Sequence, residues 1–407
     1  MDLALRTKDA AFRQRVIEFL AVNWPVENRA QRWLLAQSGS SAYHRLPIVQ
    51  QWLGALVTQG WSVPHWPEAF GGPSWNAVER AIWERETTLA QVPTAADFGI
   101  NQLGPLLLRW GTQRQREQHL RSIRELRVNY SLGCAEPGIG SNLAQGTTRA
   151  TRQGDDFIIN GTKLLQRTLL LDPLSAEWVL LVIGTAPAEL TFLLVDLASP
   201  GVTIEASPPA AAGGPSRSRR VRLQDVWVPG AARVGAANAA AEIWQRLMQP
   251  GGFSSTRIAR NRVQLDGLRE LAADAAGPGS NDAGFAGQLR ALEVAQLGQE
   301  MLERRLLYNA EQSAGQEKTL SPATEAMLVL RADQLDQAIG QLVQDALGYY
   351  ALPAPDPELL ANEGLIGPEY ALVAMQGMLG QRSGPQGLSA EQLQWYKDII
   401  AKSALAL

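Results

Sequence analysis

One cysteine, Cys134, stands in 407 residues, so no internal disulfide can form. That excludes a secreted disulfide scaffold and fits a reducing compartment. The three histidines (His44, His65, His119) stand apart without ligand spacing, which argues against a His/Cys metal site. Charge of one sign is also missing. With 37 basic and 40 acidic residues the net charge is −3, so no basic face points to nucleic acid or to a membrane surface. Long apolar runs are absent too: the longest, around Leu180, is broken by Asp172, Pro173 and Glu177, short of the ~20 residues a spanning helix needs. The acidic start, Met1-Asp2-Leu3, lacks the apolar stretch of a signal peptide. These absences predict a cytoplasmic protein with no membrane span.

What is present is material for a large core. Apolar residues make up 45% of the chain, enough for two or three domains at roughly 100–200 residues each. The apolar period changes twice. Phe12, Val16, Phe19 and Leu20 share a helical face, as do Trp52, Leu53, Leu56 and Val57, and then Leu103, Leu106, Leu107 and Trp110. Trp24-Pro25 and the Gly/Pro-rich run 61–73 break these helices. From about Tyr130 the pattern turns to short strands: 157–161, 179–183, 190–195, 202–204, and 220–229 with one wet face. Residues 207–218 read as a surface loop. Helices return from Ala236, with a stripe of Leu289, Leu292, Leu297, Met301, Leu302 and Leu306. Another helix starts at Ser321-Pro322, and 277–284 reads as a loop. The predicted organisation is a helical domain over 1–125, a β domain over 126–234 and a helical bundle over 235–407.

Between helices and strands lies Ser131-Leu132-Gly133-Cys134-Ala135-Glu136-Pro137-Gly138-Ile139-Gly140-Ser141-Asn142. Glu136-Pro137-Gly138 cannot continue a helix or central strand, and Gly140-Ser141 leaves backbone amides open. Such a turn can offer N–H groups and a hydroxyl to a planar or anionic ligand. It can equally be a plain domain-junction turn.

At these residues the sequence resembles the acyl-CoA dehydrogenase family. The likeness runs in chain order through Trp66-Pro67-Glu68-Ala69-Phe70-Gly71-Gly72, Leu106 to Thr112, Ala135 to Asn142, Ile159 to Lys163, Ser199 to Thr203 and Asp225 to Pro229. Residues 60–66 and 346–353 look most like the branch with dicarboxylyl-CoA and steroid side-chain dehydrogenases, in which two unlike chains often pair. The resemblance implies an α+β multidomain fold: an N-terminal helical domain, a middle β-barrel domain and a C-terminal four-helix-bundle-like domain that forms the oligomer core. It implies FAD and a CoA thioester, with a proton leaving Cα and a hydride leaving Cβ. That reaction needs a positioned carboxylate, hydrogen bonds to the thioester oxygen and a flavin in line with Cβ. An electron-transfer flavoprotein would accept the electrons.

Several family positions are altered. Leu165 stands where the family has a flavin-covering tryptophan, and Arg167 replaces the following hydroxyl, which Thr168 restores if the alignment shifts by one. The base position near the C-terminus becomes Ala390 with Glu391 beside it, and Ser389 with Gln392 reads as a capping box. Relatives with the base in the third domain carry it where this chain has Thr256, before Arg257. No catalytic residue is therefore assigned. Cofactor contacts are expected at Cys134, Ala135, Gly140, Ser141, Arg167 and Thr168, and substrate contacts at Ser141 and Arg257, whose guanidinium suits a CoA phosphate. An ion pair is the competing role for Arg257, and Glu136 is expected to accept local backbone hydrogen bonds. Three readings follow: a catalytically degenerate subunit of a heteromeric dehydrogenase, a self-sufficient homo-oligomer, and a flavin-free scaffold.

Overall fold

The computed structural model describes residues 5–25, 46–92, 98–138, 146–166, 177–186, 189–206, 218–236, 239–248, 254–273, 283–312, 320–347 and 390–404. The elements follow the helical–β–helical order. Helices α1 (Thr7–Asn23), α2 (Pro47–Gln59), α3 (Ala77–Leu89), α4 (Gly104–Trp110) and α5 (Gln113–Arg124) come first. Strands β1 (Tyr130–Gly133), β2 (Arg149–Gln153), β3 (Asp156–Gln166), β4 (Trp178–Ala186), β5 (Glu189–Asp196), β6 (Val202–Ala206) and β7 (Ser218–Val228) follow. Helices α6 (Ala240–Met248), α7 (Ser254–Ala273), α8 (Ala283–Gln312), α9 (Pro322–Leu347) and α10 (Ala390–Ala404) close the chain. The chain divides into two compact units: Met1–Gln37 with Trp75–Val92 and Gly252–Leu407, and Ser38–Ser74 with Pro93–Gly251.

The second unit holds a seven-stranded sheet in the order β1-β4-β2-β3-β7-β6, with β5 paired to β4. β4 lies parallel to β1 and antiparallel to β5. Its continuous run Val179–Ile183 is fully buried because both faces are covered. Val179, Leu181 and Ile183 join a core with Ile159, Leu193, Val221 and Leu223. Leu180 and Val182 join a second core with Trp66, Leu107, Ile123, Ile243 and Leu247. At roughly 1.5–3 kcal/mol per large side chain removed from water, these two cores are the main stabilisation of the unit.

β7 shows the predicted wet and dry faces, with one slip. Val221, Leu223, Val226 and Val228 are buried, yet Gln224 and Asp225 are both exposed. Register with β3 shifts between Ile159 and Gly161, so the extra residue forms a bulge. Asn160 clasps it, donating to Asp225 Oδ1 at 2.9 Å and accepting from Asp225 N–H at 2.9 Å. Gly161 takes φ +142°, and a Cβ there would lie 2.6 Å from Thr148 Cα.

On the helical side of this unit, Trp66 Nε1 donates to Ile100 O at 3.0 Å. Gly104 lies flat against that indole, and any side chain there would overlap the ring. α5 opens with a capping box: Thr112 accepts from Gln115 N–H at 3.2 Å, and the Gln115 side chain accepts from Thr112 N–H at 3.0 Å.

In the first unit, α9 starts as expected, with Ser321 Oγ accepting from Thr324 N–H at 3.2 Å. Its residues Leu335, Ile339 and Leu342 are buried with Leu265, Leu268 and Leu289. The stripe expected on α8 needs correction. Leu289 is buried, but Leu297 is 46% exposed and Val294 71%, while Gln296, Gln299, Glu300 and Glu303 are buried. The core face of α8 is polar there because its neighbours supply partners. Gln296 Nε2 donates to Ile258 O at 2.7 Å, Gln299 Nε2 donates to Leu328 O at 2.9 Å, and Arg262 Nε donates to Glu300 at 3.0 Å. α10 begins at Ala390, which puts Glu391 in its first turn. The loops read at 207–217 and 277–282, His44 and the 348–353 motif lie outside the described residues.

Candidate functional site

The turn that follows β1 is anchored by a buried ion pair. Cys134 and Ala135 are buried, and Leu164 N–H donates to Ala135 O at 2.8 Å, tying the turn to β3. Glu136 comes next, with its carboxylate inside. Lys163 Nζ lies 2.8 Å from Glu136 Oε1, and both side chains are sealed from water. The same carboxylate accepts from Thr147 N–H at 2.6 Å, Thr147 Oγ1 at 2.9 Å and Thr148 N–H at 3.2 Å. Burial alone would push this carboxyl up. The Lys163 ammonium and the threonine donors outweigh burial and hold it down at about 2.

This hub fixes both ends of the segment 137–147. Gly140 and Ser141, the amide and hydroxyl donors expected from the sequence, lie on that segment outside the described residues, as do Arg167 and Thr168 beyond β3. The sequence foresaw the backbone bonds of Glu136 but not its lysine. The signal was available: Lys163 and Leu165 share an inward-facing register on β3, and an inward lysine needs a buried acid. Leu165 itself is fully buried in the sheet core.

Arg257 belongs to the other unit, on α7. Its guanidinium lies 3.7 Å from Asp333 of α9, with both side chains largely buried. Burial and the nearby Arg260 lower its pKa, against the pull of Tyr396 and Asp333. One turn along, Arg260 pairs with Asp336 at 3.5 Å. On the same helix Ser255 Oγ donates to Glu303 at 2.8 Å, and Thr256 is hydrogen-bonded to Glu84 of α3. Burial pushes the Glu84 carboxyl well above the usual carboxylate range, and the Glu303 and Glu325 charges push the same way, against Arg80. Sequence periodicity missed this group because α3 reads as an amphipathic helix whose glutamates belong on the wet side. No group of three metal-ligating side chains occurs among the described residues. No described helix is long and apolar enough to cross a membrane.

Comparison with known proteins places these features. Residues 8–125 match the family model described as acyl-CoA dehydrogenase, N-terminal domain. Acyl-CoA dehydrogenase FadE26 of Mycobacterium tuberculosis is 29% identical over 200 residues, 47% of this chain and 48% of the relative. Acyl-CoA dehydrogenase IpdE1 of the same organism is 32% identical over 200 residues, 47% of this chain and 50% of the relative. The chain thus spans about half the length of these curated relatives in the match. Among solved structures, the ChsE4-ChsE5 complex from Mycobacterium tuberculosis superposes with a TM-score of 0.74 at 22% identity, covering 100% of this chain and 99% of that one. The Tcur3481-Tcur3483 steroid ACAD gives 0.73 at 18% identity, covering 100% and 99%.

Proposed function

Residues 8–125 are an acyl-CoA dehydrogenase N-terminal domain on a chain with the acyl-CoA dehydrogenase fold, and on that premise we propose a catalytically degenerate, partner-dependent subunit. In this reading the assembly performs α,β-dehydrogenation of a CoA thioester, and a related chain supplies the base and the FAD pocket, as an α2β2 heterotetramer in the cytoplasm. The observation that carries it is the outer edge of α8. Val294 and Leu297 face water at 71% and 46% exposure while four polar residues of the same helix are buried. A long helix that turns apolar side chains outward is built to be covered by another chain.

The described residues of the turn do not fit a flavin. Cys134 and Ala135 are buried, Ala135 O already accepts from Leu164, and Leu165 fills the core where an aromatic cover would stand. Nor do they supply a base. Thr256, at the third-domain position where some relatives carry the base, is a neutral hydroxyl committed to Glu84. Gly140, Ser141, Arg167 and Thr168 remain candidate contacts for cofactor or thioester, and Arg257 for a CoA phosphate. The likeness to a two-chain complex and to a steroid ACAD favours a bulky steroid-type thioester and an unlike partner chain, with a dicarboxylyl thioester as the other candidate. An electron-transfer flavoprotein would then reoxidise the assembly.

The test is co-expression with an unlike chain of the same fold from the same genome. Stable co-purification with thioester-dependent dye reduction by the complex, and none by this chain alone, supports the reading. Dehydrogenation by the lone chain overturns it and favours a self-sufficient enzyme.

A further inference from the structure

We infer that a cleft between α5, β5 and β7 binds a planar apolar group bearing one carboxylate. The cleft has a volume of about 270 Å³ and is lined by Arg114, Gln118, His119, Trp178, Ser199 and Trp227, among others. It lies wholly within the second unit and is independent of the flavin reading.

Its chemistry is uneven in a way that selects a ligand. Trp227 is on the wet face of β7 and is 57% exposed, where the neighbouring outward positions are Arg222, Gln224 and Asp225. A large indole left in water at the lip of a cleft offers a flat apolar cover, and tryptophan and arginine are the side chains most enriched at binding hot spots. Arg114 stands at the second position of α5, whose first turn has no acidic residue. There its charge adds to the positive end of the helix, an arrangement that an incoming anion relieves. The other arginines of α5 are committed: Arg116 donates to Gly111 O at 3.1 Å, and Arg121 and Arg124 pair with Glu125 at 2.9 and 3.6 Å. Among the described residues Arg114 has no ion pair, and Gln118 follows it one turn along on the same helix.

The inner wall is neutral. His119 is bonded through Nδ1 to Tyr130 Oη at 3.0 Å and meets Trp178 edge-on at 4.9 Å between ring centroids. Burial lowers the imidazole to about 4, so it adds no positive charge at neutral pH. On the opposite wall Asp196 accepts from Ala198 N–H at 2.8 Å and repels a second anion. The carboxylate is therefore directed to Arg114 and Gln118, and the ring to Trp227 and Trp178.

The full-length chain should be titrated calorimetrically with indole-3-acetate, with tryptamine as the cationic isostere and N-acetyl-Trp-Asp-amide as the peptide-borne acid. The expected result is binding of the acids and none of tryptamine. W227A should abolish binding and R114Q should weaken it at least about ten-fold, with melting temperatures unchanged because both side chains are exposed. Tighter binding of the peptide would point to a protein partner, and tighter binding of the free acid to a small metabolite. Equal binding of tryptamine, no binding up to about 5 mM, or wild-type affinity in both variants would overturn the inference.

Discussion

The two units are held together by different means. The sheet unit has two apolar cores around β4 and β5, with the Glu136–Lys163 ion pair sealed within it. The helical unit threads its interior with charged and titratable groups: Arg262 and Arg85 on Glu300, Arg257 on Asp333, Arg260 on Asp336, and Glu84, its carboxyl pushed up by burial, near Glu303. A buried pair is costly to desolvate and is weak evidence of stability, whereas breaking one strands a charge. The first unit spends its apolar residues partly on its outer surface, at Val294 and Leu297. On the proposed reading, that exposed edge is where a partner chain would sit.

The sharpest break of that contrast is in the sheet unit. Lys163→Met leaves the Glu136 carboxylate buried without its cation and should cost about 3–5 kcal/mol in denaturant unfolding. Because Glu136 is held at about 2, below its unfolded value near 4.3, its contribution is present above the unfolded value and is lost as pH falls through the folded one. Wild-type stability should drop between about pH 4 and pH 2, and a Glu136→Gln/Lys163→Met double variant should lack that component. Gly104→Ala drives a methyl into the Trp66 indole and should cost about 1–3 kcal/mol by the same assay.

In the helical unit the sign reverses. Glu84 is raised in the folded state, so it favours folding fully only below its unfolded value, and that support is lost as pH rises toward the folded one. Glu84→Gln keeps a neutral polar group there and removes that titration, so the variant should gain on the wild type in denaturant unfolding as pH is raised above the unfolded value near 4.3. The smallest effect on folding is expected at the α8 edge. Val294→Lys with Leu297→Lys should change lone-chain stability by less than about 0.5 kcal/mol each, yet abolish co-purification with the partner.

The same contrast explains what could be read from sequence. The sheet was legible because alternation and a doubly buried run leave direct signatures, as at Val179–Ile183 and Val221–Val228. The bulge was not, since Gln224 and Asp225 look like ordinary wet positions until Asn160 clasps them. α8 misled because periodicity assumes that apolar means inward; Leu297 and Gln296 exchange those roles once Ile258 offers its carbonyl and a further chain is expected outside. Of the candidate site, the turn and its glutamate were visible, while Lys163 and Glu84 depend on neighbours far away in the chain. The altered positions Leu165 and Thr256 were read from the resemblance, and their surroundings, a packed core and the Glu84 carboxyl, came only with the structure.

The central claim, that this chain needs a partner to hold a working flavin centre, is tested most directly by flavin content. The chain purified alone should be colourless, and the co-expressed complex should carry FAD in proportion to the partner chain. A visible flavin spectrum at one FAD per lone chain, bleached by a CoA thioester, would contradict the account.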